Sequence, residues 1–265
     1  MAARSPIPEP MKRAVRQRCM FGCVVCGMPV FDYDHLEPYA IVGDHTAENI
    51  ILLCPNHHRE KTAGRLGGDR LQQAVRHPFN EGRQHTAPFA IEPGRSITVM
   101  MGTNVLEDPR FDREGNFPVI WINGFYCLGL HLQAGWMTLS AGVTDGAGKV
   151  VIGIDHGELV AATAVWDYRY EGTRLQIRAS AGVVILDLDL TNELFHMHRG
   201  GFLDHRDGSG FVVQDGALYT LAKGNPRGMA IGGIDGHNAG GWGMANRDLC
   251  DPQARPNGFG HFMTI

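Results

Sequence analysis

Two pairs of metal-ligating residues, Cys23/Cys26 and Cys54/His57, each at x-x spacing, bracket the stretch CVVCGMPVFDYDHLEPYAIVGDHTAENIILLCPNHHREK between Cys23 and Lys61. Paired spacings of this kind let two tight turns present four tetrahedral ligands to one ion, and three thiolates with one imidazole make a closed structural zinc set. A buried-thiol core without metal is the alternative, with Cys19, four residues before Cys23, a competing ligand. Zinc has no use for Asp34-His35, Asn49 or His58, which lie among these ligands. Neighbouring residues on a helix point about 100° apart, so His57 and His58 cannot easily serve one ion. His57 completes the spacing with Cys54 and goes to the zinc. His58 is left for a second site on the next helix face, close to Lys61 three residues on.

The elements that must position these groups follow from local pattern. Residues 11–19 (MKRAVRQRC) place Met11, Val15 and Cys19 at helical spacing. VFDYDHL, Val30 to Leu36, alternates as a half-buried strand ending at Asp34-His35, whose side chains leave on opposite sides. Tyr33 is expected to pack that strand. A loop from Glu37 to Glu48 leads to a second strand, IILL, from Ile50 to Leu53. His45 and Glu48 lie in or beside this loop, where an extra ligand could arise, and both are expected to be solvent-exposed. Pro55 suits the first turn of a helix, predicted to run to about Thr62 or Gly64. DRLQQAVRH reads as a further short helix with Asp69 as its N-cap. In a strand-strand-helix unit this small, zinc substitutes for a thin core. Proline and glycine crowd residues 78–94, so the predicted domains are 1–85 and 86–265.

After residue 91 the texture becomes short Val/Ile/Leu/aromatic runs separated by Gly, Asp and Asn, the pattern of an all-β domain, sandwich or solenoid. Asp145-Gly146-x-Gly148 and Asp207-Gly208-x-Gly210, each followed by a Val-Val pair, are alike, but two copies do not define a repeat architecture. Asp155-His156, His196, His198, Asp204-His205 and His237 follow no ligand spacing and are read as turn and surface residues. The four tryptophans are read as core anchors. No active-site constellation emerges from residues 91–265, and the Gly-rich last forty residues carry no clear pattern.

Composition sets the bounds. With 43% hydrophobic and 20% charged residues the chain is globular, and no apolar run has signal-peptide or membrane-span length. Six cysteines, three of them in the quartet and the others (Cys19, Cys127, Cys250) scattered, do not make a disulfide framework. A soluble cytoplasmic protein with no membrane partner is expected. The net charge of −4 divides into 11 Lys+Arg against 9 Asp+Glu in residues 1–85 and 13 against 19 in the remainder. The first part's basic residues gather at 12–18 and 59–83, flanking the motif where a phosphate backbone would lie. Solvated helix faces are the alternative reading of both clusters.

Cys23, Cys26, Asp34-His35, Asn49, Cys54, His57, His58 and Lys61 together resemble the HNH endonuclease pattern, C-x-x-C, Asp-His, Asn, then C-x-x-C-His-x-x-Lys, over about residues 12–65, about a fifth of the chain. His57 stands where that family more often has a fourth cysteine, and remains a permissible zinc ligand. The resemblance implies an α+β protein: a small zinc-bound ββα-metal domain followed by the all-β domain. It implies metal-dependent hydrolysis of phosphodiester bonds, with double-stranded DNA the usual substrate and RNA the other option. His35 would be the general base. Asp34 and His58 would hold Mg²⁺ or another divalent ion such as Mn²⁺ or Ni²⁺, alongside the structural Zn²⁺. Asn49 would tie the inter-strand loop near His35, and Arg59 and Lys61 would contact phosphate. Two alternatives remain at this level. One is a zinc-stabilised nucleic-acid-binding module without catalysis, which would have no use for Asp34-His35. The other makes the β-rich domain a ligand sensor, targeting element or homo-oligomer interface that controls the nuclease.

Overall fold

The computed structural model describes residues 5–107, 114–223, 225–226 and 240–265; His237 lies outside them. The chain forms two compact units, Met1–Phe89 with Val160–Tyr170, and Ala90–Leu159 with Glu171–Ile265. Among the described residues no helix is long and apolar enough to cross a membrane.

The first unit opens with α1 (Glu9–Arg18) and continues through β1 (Asp32–His35), α2 (Tyr39–Val42), β2 (Ile50–Leu53), α3 (Pro55–Thr62) and α4 (Gly68–Arg76). β1 and β2 pair antiparallel, Asp34 opposite Ile51 and His35 opposite Ile50. All four residues of β2 are fully buried, so the run IILL is apolar without alternation because both of its faces are covered. Val15, Cys19, Val24, Leu66 and Leu71 complete the same core. Two details depart from the expected elements. The loop after β1 contains the one-turn helix α2, ended by Gly43 in the left-handed region at φ 72°. At α4 the cap position is Gly67, with no side-chain cap bond, and Asp69 sits inside the first turn, where its charge meets the helix's positive end.

Arg16 on α1 is completely buried within this unit. Its guanidinium donates to both oxygens of Asp167, at 2.7 and 2.9 Å, to Glu9 at 2.7 Å and to the Tyr33 hydroxyl at 2.5 Å. Burial of this charge is tolerable because it is paired on every side. Tyr33 thus ties β1 to α1 as well as packing.

Past α4 come β3 (Phe89–Ala90), β4 (Thr98–Met101), β5 (Asn104–Leu106), β6 (Gly115–Ile122), β7 (Phe125–Gln133), β8 (Trp136–Thr144) and β9 (Val150–Asp155). They are followed by β10 (Glu158–Ala161), β11 (Asp167–Glu171), β12 (Arg174–Ser180), β13 (Val183–Leu190) and β14 (Leu194–Leu203). The last are β15 (Gly210–Gln214), β16 (Ala217–Ala222), β17 (Asn225–Pro226), β18 (Gly241–Ala245) and β19 (Phe259–Thr264). In the second unit consecutive strands pair mostly as antiparallel hairpins, β6 to β9 and β12 to β16. Parallel contacts join β18 to β6 and β19, and β4 to β14. β14 belongs to two sheets: its first half pairs with β13 and β4, its second with β15 and β8. It changes sheets at Gly200, whose φ of 144° is a conformation that residues with a Cβ rarely adopt. The two Asp-Gly-x-Gly segments are the hairpin connections β8–β9 and β14–β15, so their likeness is that of two turns. Among the last forty residues, β18 and β19 supply order where the sequence showed no pattern.

Candidate functional site

The cysteine pair Cys23/Cys26 sits in a knuckle after α1. Its turn closes through the Gly27 N–H to Cys23 and the Cys23 N–H to Met28. Asn80, buried, donates to the carbonyls of Met20 and Gly27 and packs where a Cβ at Gly27 (φ 76°) would stand. Cys54 caps α3 at its N-terminus with Pro55 in the first turn, and His57 follows one turn later. This brings Cys23, Cys26, Cys54 and His57 together, one ligand atom from each within 4.8 Å of the others. The Cys26 and Cys54 sulfurs are 3.7 Å apart, and His57 Nδ1 lies 3.2 Å from Cys54 Sγ and 3.5 Å from Cys23 Sγ. A tetrahedral zinc with bonds of about 2.3 Å to sulfur and about 2.0 Å to nitrogen has edges of about 3.8 Å (S–S) and about 3.5 Å (S–N). The quartet fits that ion. A hydrogen bond from the Cys26 thiol lowers the Cys23 thiol and raises that of Cys26, the proton sharing that a metal replaces.

Asp34 and His35 leave β1 on opposite sides. On the α3 side, His58 lies between two carboxylates of β1, Nδ1 at 3.7 Å from Asp32 and Nε2 at 3.9 Å from Asp34. Asp34 and His58 are within the span of one six-coordinate ion, whose opposite ligands stand about 4.2 Å apart. Lys61 Nζ donates to Asp34 at 2.7 Å and to the His35 carbonyl, so its ammonium faces the carboxylate. Arg59 is exposed. Asn49 clamps the other end of the loop: its side chain accepts from the Glu37 N–H at 2.8 Å and donates to the Glu37 carbonyl at 3.0 Å, while its own carbonyl accepts from Leu36.

On the other side of β1, His35 is buried against a residue whose place the sequence did not reveal. His45, expected in solvent, is only 7% exposed. Its Nδ1 is 3.0 Å from His35 Nε2 and its Nε2 is 2.7 Å from the Ser5 carbonyl, with Tyr39 against both rings. A carbonyl only accepts, so His45 Nε2 carries the proton, His45 Nδ1 accepts, and His35 Nε2 donates. The lone pair of neutral His35 is then on Nδ1. Glu48, which lies just before Asn49, is exposed, as expected of a solvated loop residue.

The basic residues before the motif do not form an open face. Arg16 is internal, Arg18 donates to the Ile50 carbonyl, and Arg13 lies over the Trp166 ring at 4.4 Å. After the motif, Arg59, Arg65, Arg70, Arg76 and Arg83 are exposed. In the second unit Asp155 and His156 pair with each other at 2.7 Å, and His156 stacks on His131. His205 lies exposed, 3.9 Å from Asp204. Two places among the described residues depart from the surface reading: Asp204 is buried, and the fold sets His196 and His198 beside Asp189.

No curated protein and no solved structure matches this chain. Residues 23–64, which carry the cysteine–histidine quartet, Asp34-His35, Asn49, His58 and Lys61, match the family model described as HNH endonuclease.

Proposed function

We propose that this protein is a metal-dependent endonuclease that hydrolyses DNA phosphodiester bonds through residues 23–64. The match to the HNH endonuclease family points to a nuclease or nucleic-acid-binding role and to metal dependence. The observation that favours cutting over binding alone is the Ser5–His45–His35 chain, which holds one imidazole in a defined tautomer at the end of β1. A passive zinc module needs no such arrangement.

In this reading Cys23, Cys26, Cys54 and His57 hold a structural zinc, and Asp34 and His58 hold the catalytic divalent ion. That ion supplies charge stabilisation at the phosphate and its leaving oxygen. His35 Nδ1 accepts a proton from the attacking water, and His45 keeps the ring oriented while it does so. Because Asp34 and His35 diverge, the scissile phosphate lies across the end of β1 to meet both. Asn49 fixes that end by its two bonds to Glu37. Lys61, which donates to Asp34, and Arg59 would contact the phosphate backbone. The β-rich remainder of the chain, which forms the second unit of Ala90–Leu159 with Glu171–Ile265, would regulate, target or oligomerise the nuclease.

The test is metal rescue. Protein stripped of weakly bound ions is assayed on duplex DNA with Mg²⁺, Mn²⁺ or Ni²⁺, beside Asp34→Ala and His58→Ala. The proposal expects metal-dependent cleavage that both variants lose while keeping zinc. DNA retention in a gel shift without cleavage under any metal would instead support the binding module.

A further inference from the structure

We infer that Asp189, His196 and His198, on the β13–β14 hairpin, form a second open site for a divalent transition-metal ion, apart from the cysteine quartet and from the one proposed at Asp34 and His58. Asp189 and His196 are directly opposite in the antiparallel ladder, and His198 follows His196 by two residues. Along β14, Phe195 and Met197 point into the core while His196 and His198 stand on the half-exposed face. Asp189 stands on the matching face of β13, between buried Leu188 and Leu190. The register therefore gathers two imidazoles and one carboxylate on one face of one sheet.

The distances suit an ion. His198 Nε2 is 2.7 Å from Asp189 Oδ2, the two imidazole centroids are 3.9 Å apart, and one ligand atom from each residue lies within 4.8 Å of the others. Ligands at about 2.0–2.2 Å from an ion stand at most about 4.4 Å apart, so rotations of the two rings close the site. Surrounding groups hold the carboxylate ready. Arg174, the cross-strand neighbour of Asp189, is committed to Asp187 by bonds of 2.6 and 2.7 Å. The Thr173 hydroxyl reaches the remaining Asp189 oxygen at 3.4 Å. Asp187, Asp189 and Arg174 together carry one net negative charge, which does not repel a cation.

The donor set selects the ion class. Magnesium and calcium prefer oxygen cages, whereas two imidazoles and a carboxylate suit Zn²⁺, Ni²⁺, Cu²⁺ or Fe²⁺. Three ligands on a half-exposed face leave coordination positions open to water or a ligand, unlike the closed cysteine quartet.

The experiment is equilibrium dialysis of the full chain against Zn²⁺, with metal counted by mass spectrometry and folding followed by circular dichroism. The wild type is expected to hold one equivalent more than the His196→Ala/His198→Ala double variant, and His58→Ala is expected to retain that equivalent. Equal zinc content in wild type and a folded double variant overturns the site. Should the double variant misfold, Asp189→Asn decides: a zinc affinity at the second site lowered at least about 10-fold supports it, and an unchanged isotherm overturns it.

Discussion

A histidine acts as a base only through the nitrogen that lacks a proton, and in this protein the Ser5 carbonyl determines which nitrogen that is, two rings away. His45→Ala removes the acceptor for His35 Nε2 and frees the ring to turn. The expected result is a fall in cleavage rate on the order of 10–100-fold with little change in zinc content or melting temperature, and single-turnover kinetics on duplex DNA would measure it. A drop in melting temperature matching the loss of rate would mean that His45 only supports the fold. Sequence could not show this contact, because it spans ten residues across a loop whose one-turn helix α2 has no periodic pattern. The separation of His57 from His58 was legible, since it needs only the pitch of a helix and a spacing from Cys54. The pairing of His196 with Asp189 was not: H-x-H alternation marks one strand face, but the partner depends on cross-strand register.

At the scale of elements, the knuckle, β2 and the start of α3 meet at the cysteine–histidine quartet, whose Cys23 and Cys54 lie within the apolar core of the first unit. Chelating the zinc, or substituting Cys54→Ser, is therefore expected to unfold the first unit. Loss of amide exchange protection in α1, β2 and α3, with β12 to β16 still protected, would show it. Retained protection in the stripped protein would contradict the structural role. The β1, β2 and α3 segments could be read from alternation, burial and Pro55, whereas α2 and the sharing of β14 between two sheets could not, because both depend on non-local contacts. In the second unit the turn after β14 is held by Asp204, whose side chain is 2% exposed. Burial alone would raise its pKa, but hydrogen bonds from Arg206, from the Arg206 N–H and from Asn123 outweigh it and hold the group at about 2. A depressed carboxyl contributes stability above its unfolded pKa of about 3.9 and loses it as pH falls towards 2. Asp204→Asn is thus expected to cost about 2 kcal/mol at pH 7. In denaturant titrations that difference should shrink between about pH 4 and pH 2; a pH-independent difference would contradict the ionic contribution.

For the whole molecule, the net charge of −4 hides a basic first part and an acidic remainder. The structure narrows the basic part further, because Arg13, Arg16 and Arg18 are engaged internally and the exposed arginines follow the motif. Arg65, Arg70 and Arg76 are exposed and are expected to add phosphate contacts to those of Arg59 and Lys61. Replacing all three with Gln should weaken DNA binding and reduce the salt slope of log K by up to about 0.9 per contact removed, as fluorescence anisotropy across a salt series would record. An unchanged slope would place the DNA elsewhere. The role of His35 as the base is tested most directly by the nicking rate of supercoiled plasmid by wild type and His35→Ala, with zinc content and DNA affinity determined on the same preparations. His35→Ala is expected to bind DNA and zinc as the wild type does and to nick at least about 100-fold more slowly, as loss of a general base requires; nicking by His35→Ala at the wild-type rate would mean that His35 is not the base.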